Sequence, residues 1–120
     1  MSSPDLTAAP TRRDLSRRAR DAFPPMGVYV IHDQVSGRSR VLSSRNVPGA
    51  INRIHFELRL GSHPDKALQS AWREGGAERV RIEVVELLKE RADPLFDYAQ
   101  ELRLLEQLHG EELNARKEAA

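Results

Sequence analysis

Glu106 and a set of arginines are the residues here whose types and placement could do chemistry. On a predicted C-terminal helix, Leu95, Ala99, Leu102, Glu106 and Leu113 fall at helical spacing on one narrow stripe. Glu106 therefore lies in the apolar face, whereas Glu101 and Glu112 lie off it. A carboxylate in a buried stripe must be paired, protonated or bound to a metal ion, since unpaired burial is costly. An edge position, within reach of water or an arginine, meets the same need. Arg12, Arg13, Arg17, Arg18 and Arg20 crowd one short segment, and Arg38, Arg40 and Arg45 follow. Guanidiniums in a row can lie along phosphates, and the same pattern also suits an ordinary solvated face.

The charge distribution agrees with a polyanion partner. Residues 1–60 carry ten Lys/Arg and five Asp/Glu, a net of +5, while residues 61–120 carry nine and thirteen, a net of −4. The formal total of +1 hides this basic front and acidic back.

The elements that must position these residues follow in order. Met1 to Pro10 is a Ser/Pro/Ala-rich tail too poor in apolar residues to pack. From Thr11, Leu15, Ala19, Ala22 and Phe23 form the stripe of a basic helix, which Pro24-Pro25 ends; residues 11–25 thus make a helix and junction. Gly27 to Ile31 alternates around Val28 and Val30 and reads as a strand, Asp33 to Gly37 as a turn, and Ser39 to Ser43 as the returning strand. Asn46 caps a helix with Pro48 in its first turn and Ile51, Ile54 and Leu58 as its stripe, closing near Leu60-Gly61. Ser62 is the candidate cap of the next helix, with Ala67, Leu68, Ala71 and Trp72 apolar and Gly75-Gly76 as the stop. Arg79 to Glu86 alternates as a half-buried strand with Val80, Ile82 and Val84 inward. Asp93-Pro94 opens the last helix, which runs to about Leu113 before a charged tail over 114–120. The layout is α+β, a small sheet covered by helices.

Composition narrows the class. A chain of 120 residues, 39% hydrophobic and 31% charged, is one soluble globular domain. It has no cysteine, which excludes disulfides and thiolate metal sites and fits a reducing cytoplasm. No apolar run reaches the roughly 18 residues of a spanning helix, so a membrane location is not expected. Met1 to Pro10 lacks the basic and apolar regions of a secretory signal.

Several short motifs, taken together, resemble the GIY-YIG nuclease domain. They are Gly27-Val28-Tyr29, the hairpin, Ser43-Ser44-Arg45-Asn46-Val47, a helix with His55, Leu58-Arg59-Leu60-Gly61-Ser62-His63 and Leu68-Gln69-Ser70-Ala71-Trp72. The strand Arg81 to Glu86 and the helix carrying Glu106 continue the match over residues 26–113. The Pro-Pro-Met-Gly junction resembles a bacterial subgroup with a short helical lead-in. The resemblance implies a small antiparallel three-stranded sheet flanked by helices. It also implies phosphodiester hydrolysis with Mg²⁺ or Mn²⁺. In the family two tyrosines orient or deprotonate the attacking water, an arginine on the following helix steadies the phosphate, and a glutamate holds the ion.

Carried over by position, the set is partial. Tyr29 matches the first tyrosine and Glu106 the metal-binding glutamate, with His55 as the helix histidine; these three form the candidate catalytic set. The second motif reads Arg40-Val41-Leu42, with a permanent cation for the phenol and a bulky side chain for glycine. The helix arginine's place falls on Ile51, and His109 stands where an aromatic is common. Arg17, Arg38, Arg40, Arg45 and Arg53 are the candidate nucleic-acid contacts. The expected function is a nucleic-acid-binding domain, with DNA as the expected ligand and phosphodiester hydrolysis impaired or lost. The alternatives are a working Mg²⁺-dependent endonuclease with substituted residues, and a repurposed scaffold for a protein partner or self-association.

Overall fold

The computed structural model describes residues 23–119; the tail 1–10 and the basic helix with Arg17 and its neighbours lie outside the described residues. In chain order the elements are β1 (Gly27–Asp33), β2 (Ser39–Ser44), α1 (Val47–Leu60), α2 (Lys66–Arg79), β3 (Val80–Leu87) and α3 (Tyr98–Ala119). The strands form an antiparallel sheet in the order β2-β1-β3. A central strand has a neighbour on each edge and a layer on each face. Every residue from Met26 to Ile31 is accordingly buried, not only Val28 and Val30.

Register assigns the faces. Opposed residues share a face, so Tyr29 with Leu42, and Ile31 with Arg40, project to one side. There Tyr29 and Ile31 pack with Val47, Ile54 and Leu58 of α1 and Ala71 of α2. Val28, opposed to both Ser43 and Glu86, projects to the other side. α3 covers that side, joined to it where Ser43 donates to Glu106 and where His109 meets Glu86. Among the described residues, no helix is long and apolar enough to cross a membrane.

The helix ends of α1 follow expectation. Asn46 Oδ1 accepts the Gly49 amide at 3.2 Å, and Gly61 closes the helix at φ 77°, a left-handed conformation that suits glycine. α2 departs from it. Asp65, not Ser62, is the cap, accepting the Leu68 amide at 3.1 Å. The preceding loop has bonds of its own. The His63 amide donates to Gln69 Oε1 at 3.0 Å, and buried Gln69 Nε2 donates to the Leu58 carbonyl at 2.9 Å. Gly76, at φ 58° and ψ −146°, breaks the helix where the glycine pair suggests, and one short turn leads on to β3.

Two further expectations are corrected. In β3, Val28 opposes Glu86 but Tyr29 opposes Val84, so Val85 is an extra bulge residue. Val84 opposes Tyr29 and keeps the alternation with Ile82 and Val80, but it stands on an edge strand and is 46% exposed instead of buried. α3 begins at Tyr98, because Asp93 makes a turn of its own through the Leu95 amide while Asp97 caps the helix through the Gln100 amide. Leu95 therefore precedes the helix and is 89% exposed, outside the stripe. The helix also continues past Leu113 to Ala119, where a charged tail was expected.

Two constraints at the ends of β1 are testable. A Cβ on Gly27 would lie 2.0 Å from the Glu86 carbonyl oxygen, which is backbone and cannot swing away. Gly27→Ala should cost about 2 kcal/mol or more in urea unfolding. At the other end, Arg79 grips Asp33 through Nε at 2.8 Å and Nη2 at 3.1 Å, tying the hairpin turn to the start of β3. The guanidinium holds the Asp33 carboxyl well below the usual range. A depressed carboxyl stabilises the fold above its unfolded pKa, about 4, and the contribution is lost as pH falls through the folded value. Asp33→Asn should lower the melting temperature at pH 7, with the gap to wild type narrowing in acid.

Candidate active site and nucleic-acid interface

α1, α2 and the outer part of the sheet enclose a cleft of about 1150 Å³. Its apolar floor comes from the packing of Ile31, Leu42, Ala50, Ile54 and Leu68. Its charged lining is mixed: Arg38, Arg40, Arg53, Arg79 and Lys117 from the far end of α3 stand with Asp33, Glu57, Asp65 and Glu74. Arg53 lines the cleft because positions 50, 53, 54 and 57 share one face of α1, whereas Ile51 turns toward the packed interior. The nearest acid to Arg53 is Glu57, 3.9 Å away, and Arg53 is 80% exposed. Leu42 fills the space that a glycine would leave open beside Tyr29, its opposed residue.

Tyr29 is buried along its ring and lines this cleft. Burial pushes its phenol above the ordinary pKa, the charge of Glu106 adds to the rise, and Arg40 opposes it. At neutral pH the group is a neutral phenol. It can donate a hydrogen bond or orient a water, but it is not a resting phenolate base.

Glu106 lies elsewhere. It lines a second pocket of about 420 Å³ between the β2 edge and α3, together with Arg40, Arg103 and Asn114. The Ser43 hydroxyl donates to its Oε2 at 2.6 Å. Since Ser43 and Leu42 alternate across the strand, Glu106 and the Tyr29 ring stand on opposite faces of the sheet. Arg40 belongs to both pockets and is the one named candidate that links them.

The remaining candidates are dispersed. His55 packs its ring 5.9 Å from Trp72 and is not part of either pocket lining. Arg45 is exposed beyond the end of β2, outside both linings. His109 Nε2 meets Glu86 at 2.7 Å, fixing α3 against β3. Arg103 and Lys117 were not singled out in the sequence. Arg103 had a readable signal, since a residue three before Glu106 shares its side of a helix. Lys117 had none, because it depends on how far α3 extends.

The donor set can be weighed against a divalent ion. Among the described residues no group of three or more His, Asp or Glu converges. Glu106 is the one acid of its pocket, and two guanidiniums line the same space. Mg²⁺ is commonly held by one or two carboxylates, water and substrate phosphate, but neighbouring cations oppose it. These residues do not make a built metal centre.

The electrostatics of Tyr29 can be checked by ultraviolet titration in a Tyr98→Phe background, which leaves one tyrosine. Its pKa should exceed the ordinary 10. Glu106→Gln should bring it down, and Arg40→Gln should push it further up.

No family model and no curated protein matches the sequence. Two solved structures of the catalytic domain of the intron homing endonuclease I-TevI, one of them a mutant, are similar in fold. The mutant is 18% identical with a TM-score of 0.57 over 75% of this chain and 84% of its own. The other is 20% identical with a TM-score of 0.55 over 74% of this chain and 88% of its own. The strand order, the antiparallel pairing and this likeness together give the chain a GIY-YIG-like fold.

Proposed function

We propose that this domain binds nucleic acid, DNA in the first instance, and hydrolyses phosphodiesters poorly or not at all. The observation that carries the reading is the split site. Arg38, Arg40 and Arg53 line a cleft on a fold shared with an endonuclease catalytic domain, while Tyr29 and Glu106 occupy separate pockets. Binding needs only cations along the backbone path, and Arg38, Arg40 and Arg53 supply them, while Asp33 and Glu74 of the same lining are taken up by Arg79. Hydrolysis needs a water-orienting group, a phosphate-steadying cation and a metal ligand around one reacting atom. Here the position of the second phenol is Arg40 and that of the helix arginine is Ile51, packed inward. Loss of one such group typically costs a factor of 10² to 10³ in rate.

Labelled branched, single- and double-stranded DNA, with and without Mg²⁺ or Mn²⁺, tests both halves. The expected result is retention at low salt that falls steeply as salt rises, with no cutting above the level of Glu106→Ala. Arg38→Gln or Arg53→Gln should each weaken retention several-fold. Metal-dependent cutting abolished by Glu106→Ala would establish a working endonuclease with substituted residues. Absence of binding at low salt would leave a scaffold for protein partners.

A further inference from the structure

The second pocket has a composition that its neighbour lacks. Arg40 from β2 and Arg103 from α3 face a common space whose single acid is Glu106. Neither guanidinium has an ion-pair partner among the described residues, whereas Arg53 and Arg116 each have one and Arg79 has two. Glu106 is held by Ser43. Asn114 adds an amide donor, and Gly110 leaves the α3 wall open, since a Cβ there would meet nothing within 4 Å. Two fixed cations and one carboxylate leave a net charge of +1, which a phosphodiester, at −1, would neutralise.

We infer that Arg40 and Arg103 form a phosphate-binding fork at the β2 edge, taking one backbone phosphate of a bound strand. The inference deepens the proposed function and rests on it for the identity of the ligand. A strand lying in the large cleft against Arg38 and Arg53 would pass over Arg40, which lines both spaces, and place its next phosphate between Arg40 and Arg103. Two guanidiniums from different elements fix position more tightly than one, because each presents planar paired donors. Glu106 then serves as a carboxylate that keeps the pocket from holding a more highly charged anion, instead of serving as a cation ligand.

The test uses two probes on the full chain. The first is a short labelled DNA duplex; the second is inorganic phosphate, titrated against matched chloride and followed through the arginine Nε–Hε resonances. Arg40→Gln and Arg103→Gln should each weaken duplex binding roughly tenfold and reduce the salt slope by about one. Arg81→Gln, on the exposed side of β3, should change neither. Phosphate should shift the Arg40 and Arg103 signals without divalent metal, and Glu106→Gln should tighten that binding. Duplex binding that ignores both substitutions, with phosphate shifts scattered equally over Arg81, overturns the fork and leaves the proposed function standing. Phosphate binding that needs Mg²⁺ and disappears in Glu106→Gln overturns it in favour of a cation bridge. If the duplex fails to bind while phosphate still moves Arg40 and Arg103, the fork stands as a site for free phosphate or a small phosphorylated ligand, and the nucleic-acid reading falls.

Discussion

Among the described residues β1 carries the whole arrangement, because it is the strand that both other strands and all three helices are built upon. It can do so only because Gly27 has no side chain, so that β3 passes with the Glu86 carbonyl 2.0 Å from where a Cβ would stand. From there Val28 opposes Ser43 on one neighbour and Glu86 on the other, and these two residues are the attachment points of α3. One residue later Tyr29 begins the opposite face and the packing of α1 and α2. A single alternation of the backbone thus decides which helix, and which chemistry, each side of the sheet receives.

That alternation also explains why residues that match a nuclease set do not form one here. Tyr29 and Glu106 are neighbours in electrostatic field but face different spaces, with β2 between them. β2 is an edge strand, so Arg40 can reach around it into both spaces. A tyrosine there would bring a water-orienting phenol to the gap; an arginine brings a permanent charge. A permanent cation at this position suits anion recognition, as in the function proposed, and cannot handle protons.

Much of the fold was legible in the sequence, and the departures have local causes. The strands and α1 were readable because Val28, Val30, Ile54 and Leu58 keep their periods and Asn46 and Gly61 have clear end chemistry. Asp65 displaced Ser62 as a cap because Gln69, polar and within an apolar run, is buried to tie down the loop before it. Val84 keeps the Tyr29 face that its period requires, yet it is exposed because β3 is an edge strand, and the bulge at Val85 leaves no signature in a run of β-branched residues. The apolar stripe of α3 placed Glu106 against the sheet correctly, yet Leu95 belonged to a turn set by Asp93. The partition of the site was not legible, since it depends on which face of the sheet each helix covers and on the register of β1 with β2.

The most direct test of a binding site without an assembled metal centre is a nuclear magnetic resonance titration of the labelled chain with a short DNA duplex and Mn²⁺. Duplex alone should perturb amides around Arg38, Arg40, Arg53 and Arg103, and Mn²⁺ should add no distance-dependent broadening centred on Glu106. Selective broadening around Ser43 and Glu106, growing when duplex is present, would show a metal-bearing catalytic centre and contradict this reading.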